Sequence, residues 1–108
     1  MPLSTQKCIP CEVGGVPLTA DEIKLYTREV PTWQVAEDAK KISHTFSFPD
    51  FKQAMVFVNK VAEVAEAEGH HPDFHIHYNE VRLELWTHEV GGLSTNDFVL
   101  AAKIDLLK

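Results

Sequence analysis

The spacing of apolar residues changes period at Gly69, and that change excludes most architectures open to a chain of this size. Before it, "FKQAMVFVNKVAEVAEAE" places apolar side chains at Phe51, Ala54, Met55, Val58, Val61, Ala62 and Ala65, the three-and-four spacing of a helix buried along one side. After it, "DFHIHYNEVRLELWTH" alternates apolar with polar residues, the period of half-buried strands, in two pieces around Asn79 and Glu80. Asp50 is placed to cap the helix, and Gly69 to end it in the left-handed conformation. On this stripe Phe57 and Val64 fall outside the buried face, which predicts a second apolar contact, with another element or another subunit. With Asn79–Glu80 as the turn, Tyr78 faces Val81, Ile76 faces Leu83 and Phe74 faces Leu85. The opposite face then shows His75, His77, Arg82, Glu84 and Trp86.

The flanking segments complete the pattern. "LTADEIKLYTREV" carries Thr19 and Glu22 at capping-box spacing, so a helix is expected over Ala20–Glu29, with Ile23, Tyr26 and Val30 inward and Pro31 after it. "TWQV" and "KKISHTFSF" read as strands, with Ile42, His44, Phe46 and Phe48 on one side, which makes His44 a packed or edge histidine. "STNDFVLAAKIDLL" begins a last helix at Ser94 or Thr95, with Phe98, Ala101, Ala102 and Leu106 as inward candidates. The expected order is α-β-β-α-β-β-α. This is a single α+β domain, a four-stranded antiparallel sheet with three helices on one face.

At 108 residues the chain can form one real core, here residues 18–108, behind a loosely ordered extension of residues 1–17. Sixteen acidic against ten basic side chains give a formal charge of −6, which argues against nucleic acid as a direct ligand. There is no apolar run long enough for a membrane span, and the first residues lack the apolar core of a secretory signal. A soluble, cytoplasmic protein is therefore expected. Cys8 and Cys11 form an isolated CxxC without the further ligands of a zinc site or the strand–helix context of a redox dithiol, and read as a reduced pair.

Function is concentrated in "GHHPDFHIHY", which holds four of the six histidines. His70 and His71 lie in the link after Gly69, where Pro72 keeps His71 extended, and a loop pair on a rigid helix end suits acid/base chemistry. Glu66 lies one helical turn before His70 and could fix its tautomer. His88, at the end of the last strand, can meet the loop pair at the same sheet edge. The rival is a metal site: His75 and His77 share a strand face, with Glu80, Glu84 or His88 as further ligands. A cupin barrel, which would use such ligands, needs about eight strands, and this chain spends its length on helices. A polar or subunit-facing sheet surface is the preferred reading of His75 and His77.

The chain is similar to the pterin-4a-carbinolamine dehydratase family from about Leu18 to its C-terminus. The resemblance is carried by "EAEGHHPDFHIHY" and "THEVGGLSTND", in which Glu66, His70, His71, Pro72, Tyr78, His88 and Asp97 match the family's spaced signature. It implies a compact α+β subunit assembling as a homodimer or homotetramer. It also implies dehydration of 4a-hydroxytetrahydrobiopterin to quinonoid dihydrobiopterin, a step that recycles the cofactor of aromatic amino acid hydroxylases, with no metal or other cofactor required. On this reading His70 and His88 are the proton-transfer groups, His70 at N5 and His88 at the departing hydroxyl. Glu66 tunes His70, while His71, Pro72 and Asp97 serve the substrate; for Asp97, helix capping is an equal structural alternative. Some relatives instead act as dimerisation partners of homeodomain transcription factors, so a non-enzymatic, coactivator-like binding role is the other function class.

Overall fold

The computed structural model describes residues 3–6 and 16–108. Cys8 and Cys11 lie outside the described residues. The elements are α1 (Ala20–Thr27), β1 (Gln34–Val35), β2 (Ile42–Ser47), α2 (Phe51–Glu68), β3 (Asp73–His77), β4 (Glu80–Leu85) and α3 (Thr95–Asp105), with short 3-10 turns at Leu3–Thr5 and His88–Val90. This is the expected order. The strands form one antiparallel sheet in the order β1-β2-β4-β3, so the hairpin strand β4 is central. Of the expected loose segment 1–17, the structure describes residues 3–6 and 16–17, and Leu3 among them is buried in the core.

β4 shows why the sheet has one covered face. Val81, Leu83 and Leu85 are fully buried, whereas Arg82, on the other side, is exposed. The covered side meets Ile42 and Phe46 of β2, Ala54, Phe57 and Val61 of α2, and Phe98, Ala101 and Ile104 of α3 in one apolar cluster. Each such buried aliphatic side chain contributes about 1.5–3 kcal/mol relative to exposure.

The helix ends follow local chemistry. Thr19 and Glu22 form a complete capping box, Asp50 accepts the Gln53 backbone N–H, and Gly69 closes α2 at φ 68°. α1 stops at Thr27, two residues short of the expected Glu29, and the chain turns through Val30 to Trp33.

Three sequence expectations need correction. The stripe of α2 is rotated: Ala54, Phe57, Val61 and Ala65 are buried, while Phe51 is 50% exposed. Phe57 is drawn inward because its ring packs on Phe46 and Phe48, at 4.7 and 5.1 Å between centroids. Val64 also packs against the core. In the hairpin the turn is Tyr78–Asn79, so Phe74 faces Leu83, Ile76 faces Val81 and His77 faces Glu80. Asn79 fixes this register by exchanging backbone and side-chain hydrogen bonds with Phe48, and Tyr78 takes the left-handed turn position at φ 52°. The two-residue change leaves the side chains within β3 and β4 on their expected faces, whereas Tyr78, expected opposite Val81, lies in the turn and is 68% exposed. Finally, Leu106 is 73% exposed and Ile104 takes its inward place on α3.

Candidate active site

Two chain segments converge at one edge of the sheet. The first is the exit from α2, where left-handed Gly69 turns the backbone so that His70 points to the start of α3. The second is the tight excursion after β4, in which Thr87 and Gly92 exchange backbone hydrogen bonds of 2.8 and 3.3 Å, and His88 opens the 3-10 turn between them. A Cβ at Gly92 would stand 3.1 Å from Pro17 Cβ, a contact tight enough that Pro17 would have to give by a few tenths of an ångström. Gly69, His70, His71, Trp86, His88 and Glu89 thereby line a cavity of about 220 Å³.

The histidines in this cavity are held differently. His70 Nε2 lies 2.5 Å from Asp97 Oδ1, and both are shielded, with 12% of the His70 side chain and none of Asp97 exposed. The second carboxylate oxygen, Oδ2, accepts the Thr87 hydroxyl and the Ser94 backbone N–H, each at 2.9 Å. With that oxygen committed to two donors, the carboxylate offers Oδ1 to His70, which donates from Nε2 and keeps its lone pair on Nδ1. His71 Nε2 instead meets Glu66 Oε1 at 2.8 Å in an open setting, with 56% and 79% of the two side chains exposed. The His88 ring packs on Trp86, 3.9 Å between centroids.

These placements revise the expected partnerships. Glu66 serves His71, not His70, because the reach from Glu66 to His70 requires the helix to continue and Gly69 ends it. Asp97 has no exposed surface for direct contact with a substrate, contrary to the expected substrate role; it caps α3 with Ser94, the structural alternative, and hydrogen-bonds His70. Pro72 is buried and is not part of the cavity lining. Thr87, Trp86 and Glu89 were not singled out from the sequence for this site. Thr87 had a readable signal, as a threonine between an apolar strand and a histidine, but its bond to Asp97 spans ten residues and depends on the fold.

The His-x-His pair has other engagements. His75 Nε2 is 2.8 Å from Glu84 Oε1, and Arg82 approaches Glu84 at 3.4 Å. Burial pushes the Glu84 carboxyl up, but the His75 hydrogen bond and the charges of Arg82 and Lys41 outweigh it and hold Glu84 below its ordinary value. His77 pairs in register with Glu80 at the hairpin end. Among the described residues no group of three or more His, Cys, Asp or Glu side chains is arranged to hold a metal ion. A larger cavity, about 310 Å³, lies along Thr32, Gln34, Ser43, His44, Thr45 and Arg82. It contains one histidine, and His44 is packed as expected, 4.1 Å from the Phe46 ring and 5.6 Å from Trp33. It therefore holds a single histidine where the smaller cavity gathers three.

Comparisons with known proteins agree with this fold. The family model described as pterin 4 alpha carbinolamine dehydratase matches residues 16–107. A Chlorobium limicola protein provisionally named pterin-4-alpha-carbinolamine dehydratase is 48% identical, over 94% of this chain and 91% of its own. A Methylococcus capsulatus protein with the same provisional name is 45% identical, over 97% and 92%. Among solved structures, a transcriptional coactivator/pterin dehydratase from Brucella melitensis superposes with a TM-score of 0.80 at 32% identity, covering 84% of this chain and 97% of that one. A pterin dehydratase-like protein described as a RuBisCO assembly factor in the alpha-carboxysome shares the fold, with a TM-score of 0.61 at 21% identity, over 70% and 88%.

Proposed function

From a chain that belongs to the pterin-4a-carbinolamine dehydratase family, we propose a hydro-lyase that converts 4a-hydroxytetrahydropterin to quinonoid dihydropterin and water. The observation that supports this reading is that one cavity is lined by two differently held imidazoles, His70 backed by buried Asp97 and His88 packed on Trp86. The reaction breaks the C4a–O bond, removes the N5 proton and forms a C4a=N5 double bond. His70 Nδ1, the ring nitrogen left free by Asp97, accepts the N5 proton, and Asp97 supports the resulting imidazolium. His88 gives a proton to the departing hydroxyl, which leaves as water. Solvent exchange through the open cavity mouth then restores both histidines. His71, fixed by Glu66, binds and orients the pterin beside them. The acid and base are both side chains of this chain, so no metal or further cofactor enters the scheme.

The physiological setting we infer is cytoplasmic tetrahydrobiopterin recycling, next to an aromatic amino acid hydroxylase. The described helices include none long and apolar enough to cross a membrane. A homodimer or homotetramer is the proposed assembly. Its support passes from Phe57, now in the core, and Val64, partly buried against it, to Phe51 and Val56, which α2 leaves 50% and 49% exposed. Light scattering should show at least a dimer, and a monomer at all concentrations contradicts it.

A binding role is the second reading, favoured by the coactivator description of the Brucella structure and by those exposed apolar side chains. Turnover of freshly generated 4a-hydroxytetrahydropterin by chelator-treated protein separates the readings. Acceleration over the spontaneous dehydration supports the enzyme, and a rate equal to the spontaneous one leaves the binding module.

A further inference from the structure

Within the site, each of the loop histidines has a carboxylate partner: His70 has Asp97 and His71 has Glu66. His88 has none. Among the described residues no side chain hydrogen-bonds its imidazole, and the one close contact that defines its ring plane is the indole of Trp86, 3.9 Å between centroids with the planes 42° apart. That indole is in turn restrained. Its Nε1–H donates to Asp73 Oδ2 at 3.2 Å, and Lys41 Nζ stands 5.4 Å from its ring centroid. Asp73 opens β3, the strand hydrogen-bonded to β4, with Asp73 opposite Glu84, so the support comes from the rigid sheet.

We propose that Trp86, braced by Asp73, is the positioning residue for His88, setting the direction in which its imidazole enters the cavity. This deepens the dehydratase reading and rests on it. The physical need is clear. An exposed histidine beside a 3-10 turn samples several rotamers, and a proton donor held out of line by about 1 Å can lose on the order of a hundredfold in rate. A flat, restrained indole narrows the rotamers without consuming either ring nitrogen, so both remain available for proton transfer. A carboxylate partner would occupy one of them. The relay Asp73–Trp86–His88 therefore does for the acid what Ser94 and Thr87, through Asp97, do for the base.

The test combines kinetics with a measurement of ring position. Trp86→Leu is expected to lower kcat about tenfold or more with KM changed less than about twofold, while Trp86→Phe, which keeps an aromatic face, retains most of kcat. Asp73→Ala should lower kcat in the same direction by a smaller factor. In a His88→Ala background Trp86→Leu should cause no further loss, because a residue that acts through His88 has nothing left to position. Independently of turnover, the His88 ring protons should show an upfield NMR shift from the indole, retained in Trp86→Phe and lost in Trp86→Leu. Unchanged kcat in Trp86→Leu overturns the proposal, as does an equal loss in both backgrounds or a His88 spectrum indifferent to Trp86. If the wild-type protein shows no turnover, the reaction falls and with it the catalytic purpose of the contact, whereas the shift still reads whether Trp86 holds the ring.

Discussion

Replacing Asp97 by asparagine changes one atom type at the point where the fold and the proposed chemistry meet. The Ser94 backbone N–H cannot reverse its direction, so the asparagine oxygen must take the place of Oδ2, where it also accepts the Thr87 hydroxyl. The amide NH2 then faces His70 Nε2. That nitrogen can no longer donate, so the His70 proton moves to Nδ1 and the lone pair needed at N5 is lost. The cap and the shape of the site survive. Exchanging a charge-assisted hydrogen bond for a neutral one costs about 1–2 kcal/mol, and helix α3 keeps its start. The rate consequence is larger: the corresponding change in a Ser-His-Asp triad costs about 10⁴ in kcat, and loss of a general base costs roughly 10² to 10⁴. Asp97→Asn should therefore fold with a modestly lower melting temperature and lose at least about a hundredfold in kcat. Stopped-flow turnover corrected for spontaneous dehydration reads the rate, and imidazole ¹⁵N shifts read the tautomer. Near-wild-type kcat in a variant whose His70 carries its proton on Nδ1 would refute this reasoning.

The remaining expectations concern binding, pH and metal. His71→Ala should raise KM more than it lowers kcat, and Glu66→Gln should do so by less, since both side chains sit at the open rim; steady-state kinetics decides, and an unchanged KM with a collapsed kcat would move His71 into the chemistry. Burial holds the His44 imidazole below its ordinary value of 6.5, against the pull of Asp105, with Lys108 adding to the lowering. The folded state thus binds fewer protons than the unfolded chain below pH 6.5, and stability falls as pH drops from 6.5 toward the folded value. His44→Phe, which also removes a buried Nδ1 without a hydrogen-bond partner, should flatten that acid-side loss in urea melts between pH 7 and 5, and a slope equal to wild type would contradict it. Exhaustive chelation should leave turnover intact; loss restored by adding a metal back would promote the His75–His77 reading.

The architecture was largely legible because its signals are local. The Thr19–Glu22 box, Asp50 and Gly69 act within one helical turn, and the alternation of β4 reports its own two faces. What escaped depends on long-range packing. The α2 stripe counted from Phe51 is as regular as the one through Phe57, and only the Phe46 and Phe48 rings across the core decide between them. The hairpin register likewise rests on Asn79 meeting Phe48, far away in sequence. In the site, the residue types and their common edge were readable, but the pairing was not. Sequence spacing favours Glu66 with His70, while the left-handed turn at Gly69 hands His70 to Asp97, 27 residues on. Trp86 could be assigned to the outer sheet face from alternation alone, yet its contact with His88 arises where the strand ends and the 3-10 turn folds back.

The most direct test is the rate at which freshly generated 4a-hydroxytetrahydropterin disappears in the presence of wild-type protein, His70→Ala and His88→Ala, each verified as folded and corrected for the spontaneous reaction. Acid–base catalysis by two imidazoles of one cavity predicts acceleration by the wild-type protein and a fall of roughly 10² to 10⁴ in kcat for each single variant. Near-wild-type kcat in both variants would contradict it, and a loss confined to His88→Ala would leave His88 in place and transfer the role of base from His70 to His71 or water.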